Sequence, residues 1–249
     1  MKSNSFQVKK GHFYAVGVGP GSSDLLTLRA VEVIRGSQVI ICPRSAASRN
    51  SLALEIISGF ILDQEVIEHV YPMSRNQEEV MDSWNQAAML ISSLCRQGKS
   101  VSQVTLGDPH VYSTCGYVLP RLEENLGLDR IHVIPGVTAF QASAANFAQS
   151  LVIQEDRLTL MPATDMEEVE KALDCCETLV LYKIGKNLTA LCKLLQTKGL
   201  ENKARMVLNA EMPGKEKVYP DMDRTLEREP GYLACVIVHV GHRSWKNTD

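Results

Sequence analysis

Short apolar runs alternate with stretches in which apolar positions recur at helical spacing along most of the chain, and this rhythm predicts the elements. Residues 13–18 have the β-branched and aromatic content of a buried strand. Leu26, Ala30, Val33 and Ile34 then form the inward stripe of a helix, with Ser22 or Ser23 available to cap it. The pattern continues as strand 38–42, helix 51–61, strand 65–70 and helix 77–97, the last carrying Val80, Trp84, Ala88, Ile91 and Cys95 at near-ideal spacing. Strand 101–106, helix 112–125 with Pro120 as a kink, strand 131–134 and helix 138–149 complete the first half. The second half reads as strand 157–161, helix 165–175, strand 178–183, helix 187–198, strand 204–210, an irregular segment and strand 232–240.

Strands alternating with helices imply an α/β fold with a mostly parallel sheet. The run "LEREPGYLACVIVHV" reads as a hairpin arm, so the second sheet is expected to be mixed. Periodicity breaks at "QSLVIQED", which divides the chain into an N-terminal α/β domain, 1–149, and a C-terminal α/β domain, 150–249. A cleft between two such domains is the expected ligand site.

Composition narrows the function. The 249 residues suffice for one large core or two smaller ones. No apolar run reaches membrane-spanning length, and "MKSNSFQVKKGH" lacks the apolar region of a signal peptide, so a cytoplasmic protein without membrane partners is expected. Seven cysteines, an odd number with no C-x-x-C spacing, suggest neither a disulfide framework nor a zinc knuckle. A net charge of −3 without any basic run argues against nucleic acid or a membrane surface as partner. An anionic ligand must therefore be held by a few local Arg and Lys residues.

Loops that follow parallel strands gather on one side of the sheet, where ligands bind. Here those loops are "GVGPG", "CPRS", "YPMSR", "TLGDPHVY" and "IPGVTA", each with Gly or Pro to fix its shape. The first resembles a dinucleotide cradle only in part. Gly17 and Gly19 are followed by Ser22, Pro20 removes an N–H that a pyrophosphate would need, and Asp24 occupies the positive helix end. The second strand closes on Pro43, Arg44 and Ser45 rather than on an acid for a ribose hydroxyl. An NADP-dependent reductase, with Arg44 on the 2′-phosphate, and a binding module without turnover are the competing classes. In "HVGH", His239 and His242 have no third ligand nearby, so no protein-bound metal is expected, and Cys175 and Cys176 read as structural.

Taken together, "VGVGPGSSDLLTLRA", "LGDPHVYST", "IPGVTAFQASAA", "LVLYKIGKN" and "NAEMPGKE" resemble, in order and spacing, the tetrapyrrole methylases, the S-adenosylmethionine enzymes of sirohaem and cobalamin synthesis. The likeness runs from residue 13 to about 240. "CPRS", "NSLALEII" and "YPMSRNQEEVMDSWNQAA" are most similar to the branch that methylates C-20 of precorrin-2 or cobalt-factor II. The resemblance implies a homodimer and a methyl donor held by Pro20, Leu106, Gly107, Asp108, Val111, Thr138 and Ala139 from the first domain. From the second domain it implies Lys183, Ala210, Leu233 and Ala234. By the same likeness "GVGPG", with Gly19 and Gly21, floors the place where tetrapyrrole and donor meet.

Methyl transfer from a sulfonium is an in-line displacement with a neutral thioether as leaving group. An enamine-like ring carbon is already nucleophilic, so alignment is the main catalytic requirement. Asp108 is a candidate to orient the donor or to handle a proton, and equally an Asp-Pro turn former. Tyr112 can supply a hydroxyl or a ring. The substrate is rich in carboxylates, which calls for guanidinium partners. Arg44 with Ser45, and Arg75, follow strands two and three, and Arg29 and Arg49 lie nearby in sequence.

Overall fold

Phe13–Gly17 is buried at every position and forms β1, near the middle of a five-stranded sheet. The computed structural model describes residues 6–46, 50–72, 74, 76–222 and 233–242. The chain divides between Thr138 and Ala139 into two units. In the first, α1 (Leu28–Gly36), β2 (Val39–Ser45), α2 (Leu52–Ile57), β3 (Glu65–Tyr71), α3 (Gln77–Arg96), β4 (Val101–Thr105), α4 (Cys115–Leu126) and β5 (Ile131–Ile134) follow β1. The strands run in the order β3-β2-β4-β1-β5, all parallel. Both faces are covered, which is why β1 and β2 read as continuous apolar runs. Tyr14 and Val16 pack with Ala30, Val33 and Ile34 of α1 and Ile57 of α2. On the other face Phe13 and Ala15 pack with Ala88 and Ile91 of α3 and Val118 and Leu122 of α4.

Three local details differ from the pattern read in the sequence. The cap of α1 is Thr27, whose hydroxyl accepts from Ala30 N–H, because Ser23–Leu25 are taken up in a separate short turn and Ser22 caps nothing with its side chain. α4 begins at Cys115 rather than 112, since Tyr112 holds a left-handed backbone (φ 50°) that no helix accommodates. β2 continues past Cys42 to Ser45, paired with His69–Tyr71 of β3. Its pairing with β4 ends at Ile41, and a strand with one side free tolerates Pro43.

At the end of the sheet where the strands begin, His12 and His132 stack with ring centroids 5.2 Å apart. His12 Nδ1 and His132 Nε2 are 3.0 Å apart, and Tyr14 stacks on His132 at 4.8 Å. Burial lowers both imidazole pKa values, with cationic Lys9 adding to the effect.

The second unit comprises α5 (Ala139–Ala145), β6 (Leu158–Pro162), α6 (Met166–Leu173), β7 (Thr178–Tyr182), α7 (Leu188–Thr197), β8 (Ala204–Leu208), β9 (Lys217–Tyr219) and β10 (Ala234–His239). Its sheet, β6-β7-β10-β8-β9, is mixed: β6 and β7 are parallel, while β10 runs antiparallel to both β7 and β8. β9 was read as part of an irregular segment, and it forms by pairing antiparallel with β8. The proposed hairpin arm begins among residues 223–232, which lie outside the described residues. One face of this sheet packs under α6 and α7. On the other, Val180, Cys235 and Ile237 meet Phe140 and Ala144 of α5. That contact places α5 with the second sheet, so the division falls before α5 and not at 149/150.

Candidate functional site

In the first sheet β1 lies between β4 and β5, and the loops leaving the C-terminal ends of these three strands meet. Gly107 N–H donates to the Gly19 carbonyl at 2.7 Å, and Gly19 N–H returns a bond to the Gly107 carbonyl at 3.3 Å. Gly17, Gly107 and Gly136 are pressed backbone to backbone. A Cβ on Gly17 would lie 2.6 Å from the Gly107 carbonyl oxygen and 2.7 Å from the Gly136 nitrogen. A Cβ on Gly136 would collide with that same oxygen and come within 2.8 Å of the Gly17 carbonyl carbon. Gly107 is a glycine for another reason: its φ is +69°, and a Cβ there would meet nothing nearer than the Val137 carbonyl oxygen at 4.0 Å. The space a side chain would take on its open face is thus left unfilled by neighbouring atoms.

Asp108 is tied to the backbone on both sides. Oδ1 accepts from His110 N–H at 2.8 Å and Oδ2 from Gly136 N–H, in the neighbouring loop, at 3.0 Å. The base of the same loop is closed by the Thr105 and Ser113 hydroxyls, 2.8 Å apart, with Ser113 Oγ also accepting from Cys115 N–H at 3.1 Å. Pro20 and Thr138 are buried, Leu106, Val111 and Gly21 are half-buried, and Tyr112 is 46% exposed with its phenol pKa raised by burial. One sheet edge thus gathers Gly19, Pro20, Gly21, Leu106, Gly107, Asp108, Val111 and Tyr112, with Thr138 closing the loop after β5.

The candidate cationic residues fare differently. Arg44 lies within β2 rather than in a loop, because the pairing with β3 extends past it, and its Nε is 3.3 Å from Glu68 Oε2. Ser45 is the last residue of β2, opposite Tyr71. Arg29 packs over the Phe6 ring at 5.4 Å. Arg75 and Arg49 lie outside the described residues. His239 sits 3.4 Å from an Arg205 nitrogen and His242 pairs with Asp156 at 2.7 Å. Among the described residues no three His, Cys, Asp or Glu side chains converge as metal ligands.

In the second sheet the end of β7, the end of β8 and the start of β10 lie side by side, with Cys235 opposite Tyr182 and Ala234 opposite Leu208. This edge gathers Lys183, Ala210, Leu233 and Ala234. Lys183, Asn209 and Glu211 are all left-handed (φ 55°, 50° and 59°), a conformation costing a residue with a Cβ about 1–2 kcal/mol. Local bonds hold two of them: Asn209 N–H to the Leu233 carbonyl (2.8 Å), Asn209 Nδ2 to the Lys215 carbonyl (3.1 Å) and Glu211 N–H to Glu216 Oε1 (2.9 Å). Tyr182 Oη accepts from Phe140 N–H at 2.8 Å, fixing the start of α5.

Reading the sequence did not single out Gly17 and Gly136 as a contact pair, the Thr105–Ser113 closure, or Asn209 and Tyr182. The two hydroxyls do flank "LGDPHVY", and that symmetry was the available signal. The glycine contact becomes visible only once the strand order is known.

The chain thus pairs a parallel α/β unit whose strand-end loops meet at glycines with a mixed α/β unit whose strand-end loops hold left-handed residues. Residues 12–223 match the Tetrapyrrole (Corrin/Porphyrin) Methylases, and the chain belongs to this family. It is 32% identical to the cobalt-precorrin-2 C(20)-methyltransferase of Salmonella typhimurium (strain LT2), over 83% of this chain and 86% of that one. Its fold is similar to that of the cobalamin biosynthetic enzyme cobalt precorrin-4 methyltransferase, with a TM-score of 0.68 and 23% identity over 92% of this chain and 94% of that one. It is also similar to a uroporphyrin-III C-methyl transferase from Thermus thermophilus solved with S-adenosyl homocysteine, with a TM-score of 0.62 and 21% identity over 92% of this chain and 98% of that one.

Proposed function

We propose that the protein transfers a methyl group from S-adenosylmethionine to C-20 of a precorrin-2-type macrocycle, cobalt-factor II or its metal-free counterpart, in cobalamin synthesis. The observation that carries this reading is the 32% identity, across most of both chains, to a relative named for that reaction. The donor is supported by the S-adenosyl homocysteine bound in one structural neighbour and by the open face of Gly107.

In this reading the donor supplies an electrophilic methyl on sulfonium sulfur. As the new carbon–carbon bond forms, the S–CH3 bond breaks, its electron pair stays with the neutral thioether, and the ring carbon gives up its proton. The chain's own contribution is alignment. Pro20, Leu106, Gly107, Asp108, Val111, Thr138 and Ala139 are the donor contacts we propose from the first loops, with Gly19 and Gly21 on the substrate side. Lys183, Ala210, Leu233 and Ala234 are the further donor contacts we propose on the second sheet. Holding two reactants in line removes much of the entropic barrier, and an already electron-rich carbon needs little further activation. Arg44, Ser45 and Arg75 remain the proposed partners of substrate carboxylates, with Arg44 exchanging Glu68 for the ligand.

Two measurements test the reading. S-adenosylhomocysteine should raise the melting temperature while NADPH leaves it unchanged; stabilisation by NADPH alone would overturn the assignment. Anaerobic assays with metal-free and cobalt-loaded substrate should give one added methyl by mass spectrometry, placed by carbon NMR on the bridge between the first and last rings. A methyl on a pyrrole carbon keeps the family and sinks the C-20 assignment. We further read the protein as a cytoplasmic homodimer. All seven cysteines are free, as a reducing compartment allows, and light scattering tests the dimer.

A further inference from the structure

We propose that Asp108 is a positioning residue, a clamp that fixes the loop after β4 to the loop after β5, and that it is not the group that receives the proton released in methyl transfer. The proposal rests on the reading of these loops as the donor site. Its basis is the direction of the carboxylate. Both oxygens are engaged by main-chain N–H groups, one from its own loop at 2.8 Å and one from Gly136 at 3.0 Å. Bonds of this kind, with a charged acceptor, are among the stronger ones in proteins.

Gly136 is the residue whose position matters most in the seam. It touches Gly17 and Gly107 so closely that a single added carbon would collide with backbone. Three strand ends therefore meet at one point, and no side chain fills it. Contact alone resists compression and does nothing to prevent separation. Two devices pull instead: the paired bonds between Gly19 and Gly107, which join the loops after β1 and β4, and the Asp108–Gly136 bond, which joins the loops after β4 and β5. Without Asp108, the half-buried Gly136 N–H loses its acceptor and the bond that joins the loops after β4 and β5 is gone. The open face of Gly107 and the Val137–Thr138 stretch would then no longer be fixed relative to one another, and the wall offered to the donor would loosen.

The signature is a loss of donor affinity with the chemical step intact. Asp108→Ala should weaken S-adenosylhomocysteine binding by about 10–100-fold and raise the KM for S-adenosylmethionine in parallel. The kcat at saturating donor should stay within about threefold of wild type, with the pH profile of kcat unshifted. Asp108→Asn retains one acceptor oxygen and should recover part of the affinity. Calorimetric titration, steady-state kinetics and circular dichroism on each variant make the test. If Asp108→Ala does not fold, Asp108→Asn carries the same comparison. A fall in kcat of about 100-fold or more at saturating donor in Asp108→Asn, with S-adenosylhomocysteine affinity unchanged, makes Asp108 a proton acceptor and overturns the clamp. Equal binding by wild type and Asp108→Ala overturns the clamp alone. A wild-type protein that does not bind S-adenosylhomocysteine overturns the donor-site reading and the clamp with it.

Discussion

The edges of the two sheets that carry the candidate residues are built by opposite means. In the first, Gly17, Gly107 and Gly136 remove every side chain from the meeting point of three strands, and the paired Gly19–Gly107 bonds and the Gly136 N–H bond accepted by Asp108 draw the bare backbones together. In the second, Lys183, Asn209 and Glu211 keep their side chains and accept a left-handed backbone, and local bonds to Leu233, Lys215 and Glu216 hold Asn209 and Glu211 in place. The first edge achieves its shape by having nothing to displace. The second holds strain. The difference teaches that a glycine may serve as a spacer between backbones, as a source of positive φ, or as neither, and that only the surroundings say which.

Substitutions separate the two designs. The largest effect is expected for Gly17→Ala: its Cβ would stand 2.6 Å from a backbone oxygen with no flexible neighbour to yield, and a stability loss of about 3 kcal/mol should appear in denaturant unfolding. Gly107→Val comes next. Its side chain enters open space, so the fold should survive in circular dichroism, while S-adenosylhomocysteine affinity should fall by about 100-fold, or about 2.7 kcal/mol, in calorimetry. Wild-type affinity in a folded Gly107→Val protein would remove the donor from this loop. At the second edge the sign reverses. Lys183→Gly relieves a strained backbone at the usual entropic cost of glycine, and should leave the protein unchanged or more stable by up to about 1 kcal/mol. A loss comparable to that of Gly17→Ala would show that the two edges are alike after all.

The smallest effect concerns pH and the far end of the first sheet. His12 and His132 both have pKa values lowered from 6.5 in the folded protein, by burial first and then by neighbouring positive charge. The unfolded chain therefore binds protons more readily than the folded one as pH falls. The histidine contribution is complete above about pH 6.5 and is lost as pH drops through the lower folded values. Melting temperature should decline modestly between pH 7 and pH 5, and His132→Gln should flatten that decline.

Much of the first sheet was legible in sequence because strands buried on both faces are continuous apolar runs, and Phe13–Gly17 and Val101–Thr105 are both buried throughout. The extension of β2 through Pro43 to Ser45 was not, since it depends on a neighbour that keeps pairing after the apolar run ends. β9 was missed for the same reason, being three residues that become a strand only beside β8. The assignment of α5 to the second unit depends on Phe140 and Ala144 meeting Ile237, a contact that no local periodicity encodes. At the candidate site, the loops announced themselves by their Gly and Pro content. The roles within them did not. Glycine records only permission, and ordinary residues such as Lys183 carry no mark of the backbone they will be made to adopt.

The seam also dates the site within the life of the chain. Gly17 leaves the ribosome before its partners, and Gly107 and Gly136 emerge only after β4 and β5 have been made. Until then the loop after β1 has nothing to rest against, and the nascent protein can own a glycine-rich turn without owning a place for a ligand. Such long-range closure is slow compared with helix formation, so the pocket wall is among the last features to mature. A bound donor analogue then reports more than occupancy: it certifies that β1 has been inserted between β4 and β5 in the correct register, and a refolding chain should acquire binding only after its helical signal is complete.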